Sequence, residues 1–269
     1  MYKHFILTRF NLKMPDSYHK DKFGNSTQDE EWLENRFELF EKYCFPSIQN
    51  QTCKDFIWLV LFDIDTPKKY LNKIKTYQQL FSNFTPLFLK TQDDFHAYIP
   101  KYLDKNTTHI ITTRIDNDDA FNKDMISEVQ KVFDYQNDVI INFECGIEYD
   151  IREKIAFNIF VKNSHFIGRI ELFNDKDGVK TTLSVDHRYI EKYAEVINIT
   201  NKKRMWVEVI HSKNIANRIQ LYLRIKPVIK NNVSDFNFQI SINIKNLIKA
   251  YLVHLMKKIK TLIVTLVKK

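Results

Sequence analysis

His109-Ile110-Ile111-Thr112-Thr113-Arg114-Ile115-Asp116-Asn117-Asp118-Asp119-Ala120 runs from an extended, branched, apolar-rich segment straight into three aspartates in four residues. Such a cluster repels itself unless a cation sits in it. Alternate side chains of an extended backbone point the same way, so Asp116 and Asp118 are expected to converge on one hard divalent ion, with Asn117 and Asp119 turned aside. Oxygen ligands suit Mg²⁺ or Mn²⁺. An ion held by two carboxylates keeps open positions that a diphosphate can fill. The competing reading is a solvated turn in which Asp or Asn caps the next helix.

Working outward from that strand, Tyr2 to Thr8 and Phe56 to Phe62 are short, apolar and rich in aromatic and branched residues, the pattern of strands buried on both faces. Between them Leu33, Phe37, Phe40 and Cys44 recur at helical spacing, and Pro46-Ser47 and Asn50-Gln51-Thr52 close the segment. The alternation continues with a helix over about Lys68 to Leu80, a strand at Pro86 to Leu89, a helix at about Phe95 to Leu103, and the strand His109 to Ile115. Repeated βα units imply an α/β fold with a mainly parallel sheet between helical layers. Ligands of such sheets gather beyond the carboxyl ends of the strands, which is where the aspartates lie. After a helix over about Lys123 to Tyr135 the pattern becomes strand-rich, at Val139 to Phe143, Ile155 to Val161, Phe166 to Phe173, Val196 to Ile199 and Met205 to Ile210. A helix-poor second half suits the acceptor side of a two-substrate enzyme.

Composition narrows the function. The 269 residues are 44% hydrophobic and 14% aromatic, a folded chain with a sizeable core. The formal charge of +8 belongs to the tail: residues 244 to 269 hold seven lysines and no acid, leaving 34 basic against 33 acidic residues elsewhere. A nearly neutral body argues against a nucleic-acid partner. Four glycines in all exclude a Gly-rich phosphate loop, so a metal is the candidate for holding phosphate. Cys44, Cys53 and Cys145 lack paired metal spacings and suit a reducing compartment. The first apolar run is too short for a signal peptide, and no uncharged run of about 18 apolar residues occurs. A cytoplasmic location is expected.

Cys44-Phe45-Pro46-Ser47-Ile48-Gln49-Asn50-Gln51-Thr52-Cys53-Lys54-Asp55-Phe56, followed by Trp58-Leu59-Val60-Leu61-Phe62-Asp63, resembles the helix-turn-strand opening of family 2 glycosyltransferases. With Thr8-Arg9-Phe10-Asn11, the Thr112 to Ala120 stretch, Phe143-Glu144-Cys145-Gly146 and Met205-Trp206-Val207-Glu208-Val209-Ile210-His211, the chain is similar to the rhamnosyltransferase group of GT-A enzymes over roughly residues 1 to 225. The resemblance implies a GT-A three-layer sandwich with a mixed, mainly parallel sheet. Residues 1–120 would form the donor-nucleotide half and 121–225 the acceptor half. It also implies inverting transfer of a sugar, rhamnose by the group's name, from a nucleoside-diphosphate donor to a glycan or lipid-linked acceptor. Carried over by position, Asp63 would contact the nucleobase or ribose and Thr8 and Arg9 would flank that pocket. Asp116 would face ribose or metal, Asp118 would be the principal metal ligand, and His211 would complete the metal or diphosphate site. Arg114 and Arg152 are candidate phosphate or acceptor contacts.

Family 2 enzymes commonly carry an acidic pair, often Glu-Asp, whose nearest counterpart here is Val185-Asp186-His187-Arg188, which makes Asp186 the candidate base. A surface turn leading into a helix is the competing reading there, and Asp94, Glu144, Glu148 and Asp150 are further acids that spacing does not rank. Residues 226–243 read as a linker. In residues 244–269, Ile244, Ile248, Tyr251, Leu255, Ile259, Leu262 and Leu266 fall at steps of three and four with lysines mostly elsewhere, a basic amphipathic helix of roughly 39 Å at about 1.5 Å per residue. An anionic membrane interface satisfies both the stripe and the lysines, and would place the enzyme peripherally on the inner face of the cell membrane. Docking on the domain or on a second copy, as a homodimer, is the other reading. A metal-dependent phosphoesterase and a non-catalytic sugar- or metal-binding module remain as alternative functions.

Overall fold

Period-two burial in the first strand sets the architecture. In β1 (Tyr2–Arg9), Phe5 and Leu7 pack into one core while Ile6 packs into another, and in β2 (Ile57–Asp63) Leu59 and Leu61 join the first while Trp58, Val60 and Phe62 join the second. A strand apolar on both faces is stable where both faces are covered. The computed structural model describes residues 1–12, 29–173, 179–200, 203–212, 226–229 and 232–267.

With β3 (Phe84–Leu89), β4 (His109–Arg114), β6 (Val139–Phe143), β9 (Ile167–Leu172) and β10 (Glu195–Ile199) these strands form a seven-stranded sheet in the order β10-β6-β9-β4-β1-β2-β3. Pairing is parallel except around β9, which runs antiparallel to both β4 and β6. One face is covered by α1 (Glu30–Leu39), α2 (Phe45–Gln49), α3 (Lys68–Leu80) and α4 (Met125–Lys131), through Leu33, Phe37, Ile48, Tyr70, Ile74 and Ile126. The other is covered by Phe95, Ile99 and Leu183. A second sheet, in the order β12-β8-β7-β11-β5, joins β5 (Ala120–Phe121), β7 (Cys145–Asp150), β8 (Ile155–Phe160), β11 (Trp206–Ile210) and β12 (Lys226–Pro227). This is the expected mixed, mainly parallel α/β sandwich.

Three elements depart from the sequence reading. The helix expected over Phe95 to Leu103 is two 3₁₀ turns, Asp93–Ala97 and Ile99–Tyr102, because Pro100 has no N–H to continue a helical ladder. The helix expected from Lys123 to Tyr135 stops at Lys131, and Tyr135 and Asp138, with φ of 55° and 56°, turn the chain into β6. The third is β7, an additional strand that pairs in parallel with β11.

Residues 226–229 and 232–243, within the stretch read from sequence as a linker, are packed. β12 pairs with β8, β13 (Asn232–Val233) pairs with β14 (Phe238–Gln239), and Val228, Val233, Phe236 and Ile240 are buried beside Ile147, Val207 and Val209. Asn237, at φ 59°, supplies the left-handed residue that closes the β13–β14 hairpin. Residues 213–225, assigned from sequence to the acceptor half, lie outside the described residues. The tail is helical as α5 (Ile244–Val267), anchored by buried Leu247 and His254 and by the Asn246 amide, which donates to the Glu153 carbonyl at 3.0 Å. The side chains of Leu262 and Leu266 lie outside the described set.

Candidate active site

Arg9, Asp63 and Arg114 end β1, β2 and β4, and all three line one cleft of about 1120 Å³. The site thus lies at the carboxyl edge of the parallel strands, as the topology requires. Asp116, Asn117, Asp118, Glu148, His165, Asp186, Trp206 and Glu208 line it too.

The aspartate loop is built differently from the extended reading. β4 ends at Arg114 and the chain then turns, the Asp119 N–H donating to the Asp116 carbonyl at 3.3 Å, so the alternation of an extended strand no longer applies. Asn117 is a staple: its amide donates to the Phe10 carbonyl at 2.9 Å and its oxygen accepts from Arg36 Nη1 at 3.1 Å. Asp118 is turned to a buried ion pair with Arg36, 2.5 Å away, and to His211 Nε2 at 2.8 Å. Asp119, expected to turn aside, instead accepts from the Val209 N–H at 2.9 Å and meets His165 Nε2 at 3.2 Å. Ligand atoms of Asp116, Asp119 and His165 all lie within 4.8 Å of one another. The convergent set is therefore Asp116, Asp119 and His165, while Asp118, which also lines the cleft, pairs with Arg36 and His211.

The other expected residues divide. Asp63 is buried at the cleft; its carboxylate accepts from the Asp65 N–H at 2.8 Å and its own N–H is held by Asn11 at 3.1 Å. Arg9 donates to Gln92 at 3.4 Å, and Arg114 lies 3.4 Å from Asp116. Thr8 is not in the cleft: it faces inward, where its hydroxyl accepts from Trp58 Nε1 at 3.0 Å, the consequence of lying one residue out of phase with Arg9 on a strand. Asp186 lines the cleft, yet it caps the 3₁₀ turn His187–Lys192, accepting from the Arg188 N–H, and is clamped by the Arg188 guanidinium at 2.6 Å. Those bonds hold its carboxyl far below the usual carboxylate range, which is poor chemistry for a base. Asp150 and Arg152 pair with each other at 3.3 Å, and Asp94 caps a turn through the Thr91 N–H at 2.9 Å.

Electrostatics decide what the loop can hold. Burial opposes charge on Asp118, but Arg36 and His211 outweigh it and keep the carboxyl below its ordinary value. Burial likewise opposes charge on Asp116, and Arg114, His165 and Arg9 outweigh it. Asp119 is pushed well up, by burial first and then by Asp118 and Asp116. Two of the three carboxyl groups thus have guanidinium partners and Asp119 has the His165 imidazole instead, a set that a cation at Asp116, Asp119 and His165 would complement. Two carboxylates and an imidazole are a donor set for Mn²⁺ more than for Mg²⁺.

Sequence reasoning missed Arg36, Asp119, His165 and Glu208. Arg36 had a signal, a cation inside the buried Leu33–Phe37–Phe40 stripe, and Glu208 another, the single acid of the otherwise apolar strand Trp206–Ile210. His165 sits in a connection ahead of β9, and nothing in its local sequence marks it.

The model of a family described as "Putative rhamnosyl transferase" matches residues 5–222. No curated protein matches the chain. Among solved structures, the chain is similar to S. aureus TarS at 10% identity, covering 78% of this chain and 37% of that one with a TM-score of 0.45. The S. aureus TarS 1-349 complex with UDP-GlcNAc is similar at 11% identity, covering 82% and 63%, with a TM-score of 0.45. The inositol-1-phosphate CTP transferase from T. maritima is similar at 11% identity, covering 79% and 90%, with a TM-score of 0.35. The chain thus spans between 37% and 63% of the length of these TarS structures.

Proposed function

We propose that this chain, which belongs to the rhamnosyl transferase family matched over residues 5–222, is a metal-dependent glycosyltransferase that moves a sugar from a nucleoside-diphosphate donor to a hydroxyl of a glycan or lipid-linked acceptor, with inversion. The observation that carries this reading is the convergence of Asp116, Asp119 and His165 at the carboxyl edge of the sheet, inside a cleft of about 1120 Å³. That volume suits a nucleotide sugar and part of an acceptor.

Asp116, Asp119 and His165 would hold the divalent ion, Mn²⁺ by the donor set. Bound there, such an ion supplies charge neutralisation on the leaving diphosphate. Arg114 and Arg9, both reaching the cleft, offer guanidinium donors to the same phosphates, for which a planar fork is well matched. Asp63, fixed through its Asn11 and Asp65 hydrogen bonds, presents a carboxylate for ribose hydroxyls or the base. Arg36, Asp118 and His211 hold the loop in place through their mutual pairing.

The lipid-facing part of the reading rests on α5. Ile248, Leu252 and Ile259 are more than half exposed, and the segment carries lysines and no acid. On an anionic surface each nearby lysine contributes about 1 kcal/mol, and the apolar stripe lies in the interface. Among the described residues no helix is long and apolar enough to cross a membrane.

The test is a panel of UDP- and dTDP-hexoses scored by nucleoside-diphosphate release with Mn²⁺ and with chelator. Metal-dependent release from one donor, lost in Asp116→Asn, is expected. Indifference to every donor, with Mn²⁺ still bound, would identify a binding module instead.

A further inference from the structure

β7 and β11 run parallel with Glu148 directly opposite Glu208. Both line the cleft, together with Trp206, which shares Glu208's face of the strand. Gly146 makes this approach feasible, since a Cβ there would meet the Trp206 ring at 2.2–2.3 Å. The strand is tied to the aspartate loop by the very next residue, because the Val209 N–H is held by Asp119 at 2.9 Å.

Most acids around this floor are engaged. Asp116 faces Arg114, Asp118 faces Arg36 and His211, Asp119 faces Val209 and His165, and Asp186 faces Arg188. Glu208 has neither an ion pair nor a hydrogen-bond partner among the described residues, and it is half-buried with access to the cleft. A carboxylate placed beside the donor site, open to the cleft and without a partner among the described residues, fits the acceptor's hydroxyl.

We propose that Glu208 is the catalytic base of the transfer, a role that rests on the glycosyltransferase reading above. The acceptor oxygen forms its bond to the anomeric carbon while the bond from that carbon to the diphosphate oxygen breaks and its electron pair leaves with the nucleoside diphosphate. The hydroxyl proton passes to the Glu208 carboxylate. Asp186, clamped by Arg188, is left the part of a wall.

The experiment compares wild type, Glu208→Gln and Glu208→Asp in the full chain. Turnover is nucleoside-diphosphate release with water as acceptor from the donor that wild type uses, and binding is calorimetry with UDP or dTDP in Mn²⁺. Glutamine should cut release on the order of a hundredfold and leave nucleotide affinity within about twofold, and aspartate should restore part of the loss. A glutamine variant that turns over at wild-type rate, or one that loses nucleotide affinity along with turnover, overturns the assignment. Wild type that releases nothing from any donor sinks the transferase reading and this role together. An active wild type with an equally active glutamine variant sinks the base alone.

Discussion

Asp118 and Asp119 are neighbours with opposite environments: one meets a buried guanidinium, the other an imidazole and the crowding of two carboxylates. The first is a brace. Arg36 and Asp118 are 7% and 5% exposed, and removing the guanidinium leaves a buried carboxylate with His211 but without its ion-pair partner, where breaking a buried pair costs about 3–5 kcal/mol. Arg36→Met should therefore lower the unfolding free energy measured in urea by up to that amount, and an unchanged midpoint would show that the pair is idle. Asp116→Asn belongs to the other class. It should abolish calorimetric Mn²⁺ binding with little change in unfolding midpoint, and retained Mn²⁺ binding would remove Asp116 from the ligand set. The aspartate run was conspicuous in the sequence, but which carboxylates converge was not. That depends on where β4 ends, and on an arginine and a histidine brought in from distant elements.

At the scale of elements, most of the βα alternation was legible because buried parallel strands are short apolar runs, as Ile57–Asp63 shows. β7 was harder to see. Its Gly146, Glu148 and Asp150 alternate with Ile147 and Tyr149, and Glu148 lines a cleft to which the partner strand β11 contributes Trp206 and Glu208. The Gly146–Trp206 approach is a sharp test of that pairing. Gly146→Ala should cost about 1–3 kcal/mol of overpacking and shift the Trp206 contribution to fluorescence, and a variant as stable as wild type with unchanged emission would contradict the packing. α5 makes a different prediction. Its anchoring residue Leu247 is buried, so deletion of the helix confounds stability with binding, whereas Ile248, Leu252 and Ile259 are open. Changing these three to glutamate should abolish sedimentation with vesicles of anionic phospholipid and leave donor turnover unchanged. Equal sedimentation of the variant would argue for protein docking of this face.

Across the whole molecule, stability should fall on mild acidification for a reason remote from the cleft. His4 is buried against Thr113 at 2.8 Å and accepts from the Gln130 amide at 3.2 Å, and burial lowers it to about 3. The unfolded chain takes up a proton near pH 6.5 that the folded chain refuses. The contribution is thus fully present above about pH 6.5 and is lost as pH falls toward 3. His4→Gln should narrow the difference in urea midpoint between pH 7 and pH 5, and an unchanged difference would place the acid sensitivity elsewhere. The sheet and the cores on its two faces position the aspartate loop at the carboxyl edge of β4. Calorimetry of UDP and dTDP binding to the full chain, with Mn²⁺ and with chelator, tests that loop most directly. The account predicts metal-dependent binding that disappears in Asp119→Asn, and nucleotide binding of equal strength with and without metal would contradict it.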